Sequence, residues 1–316
     1  MAKAVRFDRY GGRDVLYVAE VEVPHPAATD VVVRVRAAGV NPGEAAIREG
    51  RLHDRFPATF PSGEGSDFAG VVHEVGAGVT SWAVDDDVLG WTENRASQAE
   101  YVVVPAGQLV AKPLALSWEV AGSLYVAGCT AYAAVRAVAA GPGDTVVVSA
   151  AAGGVGSIAV QLLQVRGARA VGIASARHHD WLRSVGVTPV AYGGGSADGG
   201  LADGGLADRI RAAAPSGVDA FVDAFGPEYV YLAVELGVDP ARIDTIIAFD
   251  AAAEVGAKTD GSMAGTSPDI LAELAELVAT GRIVVPVAAT YPLERVADAY
   301  AEVEQRHTLG KVVLVP

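Results

Sequence analysis

Residues 144–177, DTVVVSAAAGGVGSIAVQLLQVRGARAVGIASAR, run from a β-branched stretch through a glycine turn into an apolar helical pattern and then a second apolar stretch. This succession predicts a βαβ unit whose turn faces an anion. Backbone N–H groups at a helix N-terminus point at such a ligand, and glycines let the chain approach it without a Cβ in the way. The window Ala151-Ala152-Gly153-Gly154-Val155-Gly156 fits the dinucleotide pattern G-x-G-x-x-G except at its first position, where Ala151 replaces glycine. The strand-like Thr145–Ser149 precedes the turn, and the helical pattern Ile158, Leu162, Val165 follows it, as the motif requires. The charge-free run from Val146 to Val165 has about the length of a membrane span, but the small turn residues divide it into a strand and a short helix. A span is therefore excluded.

The end of the second strand bears on which dinucleotide is bound. In an NAD-binding unit an acid about 20 residues beyond the glycines takes the ribose hydroxyls. Here the strand Ala170–Ala174 runs into Ser175-Ala176-Arg177-His178-His179, with no acid at its end. A carboxylate would repel a 2′-phosphate, whereas a serine hydroxyl and an arginine fork bind one. NADPH is the expected cofactor, with Ser175 and Arg177 at its 2′-phosphate.

A length of 316 residues favours two domains. A formal net charge of −14 argues against a nucleic-acid or membrane-surface binder, both of which usually need a basic face. The single cysteine, Cys129, excludes an internal disulfide and any multi-cysteine zinc site. The opening MAKAVRFDRYGG carries charges where a signal peptide needs an apolar stretch, so a cytoplasmic protein is expected.

The first 120 or so residues contain short β-rich runs divided by glycine and proline turns, among them Ala4–Phe7, Asp30–Ala37, Gly70–Val75, Asp87–Leu89 and Ala99–Val104. From about Leu124 strands and helices alternate, with further strands expected at Thr188–Tyr192, Val218–Ala224 and Ile243–Phe249. This is the pattern of an α/β, doubly wound parallel sheet. The stretch 193–208, with GGLAD twice in succession, reads as a glycine-rich surface loop entering a helix near Leu206–Ala213. Amphipathic helices are expected at Ser267–Thr280 and Leu293–Gln305. A strand at Lys311–Val315 is expected to return to the first domain.

The strings GVNPGEAAIREG (39–50), FPSGEGSDFAGVVHEVGAGVTSWAVDDDVLG (60–90) and VAGCTAYAAV (126–135), the AAGGVG turn and the closing LGKVVLVP occur in a definite order along the chain. Together they resemble the zinc-independent quinone oxidoreductase branch of the medium-chain dehydrogenase/reductase superfamily, over almost the whole chain. The resemblance implies a GroES-like, β-rich catalytic domain (1–122 and 263–316) and a Rossmann domain (123–262), with NADPH in the cleft and a homodimeric assembly. It places Asn41 beside nicotinamide and substrate, Thr130 at the nicotinamide end, and Ala152, Gly153, Gly154, Val155 and Gly156 on the diphosphate. Tyr192 joins Ser175 and Arg177 at the 2′-phosphate, and Lys311 is a further candidate cofactor residue, its bland alternative being a solvated lysine before an edge strand. Backbone beyond Ile247 is expected to reach the nicotinamide, because ligands sit at the carboxyl ends of parallel strands.

Zinc-dependent relatives carry a cysteine ligand where this chain has Asn41, and Gly-His-Glu where it has Gly65-Ser66-Asp67. Catalytic zinc needs about three protein ligands, so no metal is expected. Hydride transfer to a quinone or an activated, α,β-unsaturated double bond then suits the site, with donors stabilising the oxygen that collects charge. Many quinone-reducing relatives have an aspartate at Glu44 and tyrosines at Ala46 and Leu52; their absence leaves the proton donor unassigned. Glu44 and Asp67 read as turn-stabilising carboxylates, and Cys129 as a buried small hydrophobe. His53, His73, His178, His179 and His307 lack metal-ligand spacing. The alternatives are an enoyl reductase acting on a biosynthetic intermediate, and an NADPH-binding redox sensor with little turnover.

Overall fold

The computed structural model describes residues 1–193 and 205–316, so most of the repeat-bearing loop at 193–208 lies outside the described residues. The chain forms two compact units: residues 1–126, 267–281 and 285–316 make the first, and 127–266 with 282–284 the second.

In the first unit, the strand Asp30–Val40 is the spine of a seven-stranded sheet. Its central stretch alternates as a half-buried strand should, with Val33, Val35 and Ala37 inside and Arg34 and Arg36 outside. Asp67–Val75 pairs antiparallel along one side. The other side is shared: Tyr101–Pro105 pairs with residues 30–34, and Lys311–Val315 pairs with residues 38–40. The expected return of the final strand is thus met, but not at an edge. Lys311–Val315 lies between Asp30–Val40 and the parallel strand Val287–Pro292.

Two apolar cores flank this spine. Val31, Val33, Val35, Phe68, Val72, Val88, Val102 and Val104 form one. Val5, Val40, Leu293, Val296, Tyr300, Val312 and Leu314 form the other, which joins the helix Val296–Glu304 to strands from both ends of the sequence.

The second unit is a five-stranded, wholly parallel sheet. In spatial order its strands are Thr188–Ala191, Arg169–Ala174, Thr145–Val148, Ala220–Asp223 and Ile243–Thr245, or 3-2-1-4-5 by chain order. This is the doubly wound order, which reverses direction beside the first strand and opens a crevice at the carboxyl ends of the strands. Val147, Val171, Ile173, Phe221, Leu232 and Ile243 fill its core.

The fifth strand is shorter than its apolar run predicts. Thr245 stops it: its hydroxyl accepts the N–H groups of Ile247 (3.3 Å) and Ala248 (3.0 Å), which turns the chain out of the ladder, and a helix starts at Phe249. The other helices fall close to expectation, at Leu206–Ala213, Pro268–Ala279 and Val296–Glu304. No helix among the described residues is long and apolar enough to cross a membrane. Phe221→Ala, which empties a fully buried ring site in the central sheet, should cost about 3–5 kcal/mol in urea unfolding.

Candidate dinucleotide site and buried polar cluster

In the second unit the glycine turn stands at the end of the central strand, and the helix Gly154–Val165 begins at once. Close packing dictates its small residues. A Cβ on residue 156 would lie 2.2 Å from the Ala150 carbonyl oxygen, and one on residue 153 would lie 3.2 Å from the same atom. Ala150 itself adopts a left-handed φ of 46° to make the bend.

The departure at Ala151 is compensated on the neighbouring strand. A Cβ on Gly172 would come within 2.8 Å of the Ala151 methyl, so the methyl fills space that Gly172 leaves open. The Ala151 N–H donates to the Ile173 carbonyl at 2.9 Å, which fixes the turn against the second strand. The glycines thus let the turn close on the Ala150 backbone, and the first-turn N–H groups of the helix, which have no partner within it, can receive a diphosphate.

The next two strands end side by side. Ala174 pairs with Ala191 in the parallel register, so Ser175 and Tyr192 lie one step beyond adjacent strand ends. Ser175 is half-buried, and Arg177 is exposed in the short turn Ala176–His178 that follows it. Tyr192 is half-buried and packs against the core of this unit. On the opposite side of the central strand, Ile247 is exposed just after the fifth strand. Thr130 is buried on the helix Tyr125–Ala137, and Cys129 beside it is buried as expected.

Asn41 and Lys311 belong to the first unit, where sequence reasoning missed most of their surroundings. Asn41 is buried, and its side-chain nitrogen donates to Glu44 Oε1 (3.0 Å) and Asp67 Oδ2 (3.2 Å). Its amide oxygen accepts from Lys311 Nζ. Lys311 is only 3% exposed, its ammonium 3.9 Å from Asp67 Oδ2. The solvated reading of this lysine fails because its strand is internal; here it is a counter-ion inside the first unit. Burial pulls its pKa below the usual range, while Asp67 and Glu44 push it back up.

Glu44 is the hub. Its oxygens accept from the backbone N–H of Asn41 (3.0 Å) and Ser66 (2.9 Å), the Asn41 side chain, the Tyr300 hydroxyl (3.0 Å) and Gln98 Nε2 (3.5 Å). Tyr300 also lies 2.9 Å from Glu64 Oε1, which in turn accepts from Arg48 Nη1 at 3.2 Å. Both side chains are buried, and the Arg48 guanidinium also stacks over the Tyr300 ring at 4.4 Å. One hydroxyl proton cannot serve two carboxylates. Glu64 has a bare second oxygen and few donors, and burial pushes its pKa up to about 8, so it holds the extra proton. The signal legible in the sequence was Asn41-Pro42-Gly43-Glu44, a helix-start pattern in which the glutamate reaches back to the N-cap. Nothing local announced Glu64, Gln98 or Tyr300.

A catalytic zinc ion does not fit this cluster. An amide with both hydrogens donated and its oxygen on an ammonium is no metal ligand, and the ammonium would repel a dication. Among the described residues no group of three or more His, Cys, Asp or Glu is placed to hold a metal ion.

Residues 27–114 match the alcohol dehydrogenase GroES-like domain family, and residues 201–314 match a family described as zinc-binding dehydrogenase. The chain is similar to the synaptic vesicle membrane protein VAT-1 homolog of Rattus norvegicus, at 31% identity over 93% of this chain and 78% of the relative. It is similar to the chloroplastic NADPH-dependent alkenal/one oxidoreductase of Arabidopsis thaliana, at 31% identity over 99% and 79%. Among solved structures, Escherichia coli quinone oxidoreductase complexed with NADPH matches with a TM-score of 0.83 at 25% identity, covering 99% of this chain and 100% of that one.

Glu64 supplies a test of the buried cluster. Its folded pKa of about 8 lies above its ordinary 4.5, so its stabilising contribution is complete below the lower value. That contribution is lost as pH rises toward the upper value, by up to about 1.4 kcal/mol per pH unit. Denaturant unfolding across this interval should show the decline. Glu64→Gln, neutral at every pH, should flatten it; an unchanged slope would place the proton elsewhere.

Proposed function

This chain belongs to the quinone oxidoreductase branch of the medium-chain dehydrogenase/reductase superfamily, and from that premise we propose that it is an NADPH-dependent, zinc-independent reductase of quinones or α,β-unsaturated carbonyl compounds. The observation that carries the reading is the pairing of a glycine turn at the switch point with an acid-free second strand end, where Ser175 and Arg177 stand. When bound, the dinucleotide supplies the hydride.

The chain's own residues divide the remaining work. Gly153, Gly154 and Gly156 allow close approach of the diphosphate, while the amides of Ala152 to Gly156 face it. Ser175, Arg177 and Tyr192 take the 2′-phosphate, and Thr130 and the backbone at Ile247 border the nicotinamide. Both amide hydrogens of Asn41 are already donated to Glu44 and Asp67, so its part beside substrate and nicotinamide is positional. Lys311 holds Asn41 in place and supports the cofactor only through it. With Asn41 and Ser66 at positions where zinc-dependent relatives carry metal ligands, a conjugated acceptor is proposed over a simple carbonyl, because its charge can spread away from the reacting carbon. The enzyme is proposed to act on small molecules in the cytoplasm as a homodimer.

Purified protein incubated with NADPH and a panel of quinones, enones and enoyl thioesters should consume cofactor absorbance with at least one acceptor. Tight NADPH binding without any turnover would overturn the reading in favour of a redox sensor. Loss of the Arg177 guanidinium in Arg177→Ala should weaken NADPH by about tenfold or more and leave NADH nearly unchanged, on the scale of one charge-assisted contact. Equal affinity for the two cofactors in the unsubstituted protein would refute the NADPH assignment.

A further inference from the structure

Asp223 ends the fourth strand of the parallel sheet and is completely buried. Its Oδ1 accepts from the Ser149 hydroxyl (2.7 Å) and from the backbone N–H of Phe225 (2.9 Å) and Gly226 (3.2 Å), while Oδ2 accepts from the Thr245 hydroxyl (2.7 Å). Both hydroxyls are tied to the backbone as well. Ser149 Oγ also accepts from Ala224 N–H at 2.8 Å, and the lone pairs of Thr245 Oγ1 are taken by the N–H groups of Ile247 and Ala248.

All four of these neighbours donate to the carboxyl: Oδ1 already takes three of them, and the Thr245 oxygen facing Oδ2 has no lone pair left to accept a proton. Burial raises its pKa against the pull of these donors, and the four donated hydrogen bonds favour the ionised form. No lysine, arginine or histidine forms a salt bridge with it among the described residues. The titratable groups it influences through the sheet are Asp244, on the fifth strand, and Tyr229, on the next helix, and neither brings positive charge. An unpaired buried charge is costly to keep. This one stands at the carboxyl end of a strand next to the switch point, where a doubly wound sheet binds its ligand.

The strand order says which part of that ligand it faces. The glycine turn follows the central strand, Ser175 and Tyr192 end the second and third strands on one side, and Asp223 and Thr245 end the fourth and fifth strands on the other. A dinucleotide with its diphosphate on the turn and its phosphorylated ribose at Ser175 leaves its nicotinamide half over the fourth and fifth strands. Resting on the proposed cofactor reading, we propose that Asp223 is the charge-setting residue of the nicotinamide half. Its fixed carboxylate favours the cationic, oxidised ring over the neutral, reduced one. Ser149 and Thr245 are positioning residues that fix the orientation of the carboxylate.

The test compares equilibrium affinities for NADP+ and NADPH in the unsubstituted protein, in Asp223→Asn and in Ser149→Ala. Asp223→Asn should weaken NADP+ about tenfold more than NADPH, the scale of one charge acting through a protein interior. Ser149→Ala removes a hydrogen bond but keeps the charge, so it should change both affinities by the same factor. Equal losses of the two forms in Asp223→Asn would mean a purely structural role and overturn the inference. Should that variant fail to fold, Asp223→Ser removes the charge in its place and is read the same way: a loss of NADP+ about tenfold greater than that of NADPH supports the inference, and equal losses overturn it. Failure of both forms to bind the unsubstituted protein would instead overturn the cofactor reading itself.

Discussion

The first unit depends on satisfying one buried carboxylate. Glu44 sits on the short helix Pro42–Arg48, and the donors it needs come from Asn41, Ser66, Gln98 and Tyr300. The desolvation cost of the charge can be repaid only when all of these segments are in place. That requirement draws the helix Val296–Glu304 against strands from the other end of the sequence, and the apolar cluster around Val5, Val40, Leu293 and Leu314 packs in the space so defined. The same logic places Lys311 on Asn41 and near Asp67, so that the acid-rich interior carries cations of its own.

The two units solve the problem of buried charge in opposite ways. In the first, Arg48 and Lys311 are buried with Glu44, Glu64 and Asp67, and a proton held by Glu64 completes the balance. In the second, Asp223 is satisfied wholly by hydroxyls and backbone amides, with hydrogen bonds but no counter-charge. A balanced cluster carries little net charge. An unbalanced one leaves a field at the carboxyl ends of the strands.

What could be read from the sequence was what local physics determines. The glycine turn, the alternation of Val33, Val35 and Ala37 with Arg34 and Arg36, and the helix over residues 206–213 each rest on spacing within a few residues. The fifth strand ends before its apolar run does, because the Thr245 hydroxyl that stops it acts through hydrogen bonds that periodicity does not reveal. Ala151 departs from the motif at its first position, and the space for its methyl comes from Gly172, 21 positions away in the chain. Glu44 and Asp67 passed for turn carboxylates because their partners are distant in sequence. Tyr300 lies 256 positions from Glu44, and no single-sequence pattern marks such a pair.

The place of Lys311–Val315 inside the sheet also sets an order of events during synthesis. The five strands of the second unit all lie between residues 145 and 245, so its sheet can assemble as soon as that stretch has left the ribosome. The first unit has most of its strands emerged far earlier, yet the flank of Asp30–Val40 at residues 38–40 stays open until residues 312–314 arrive. For most of translation that nascent half presents an unpaired strand edge and unneutralised interior acids. The part of the chain made first thus closes its spine last, after every strand of the later-made unit has emerged.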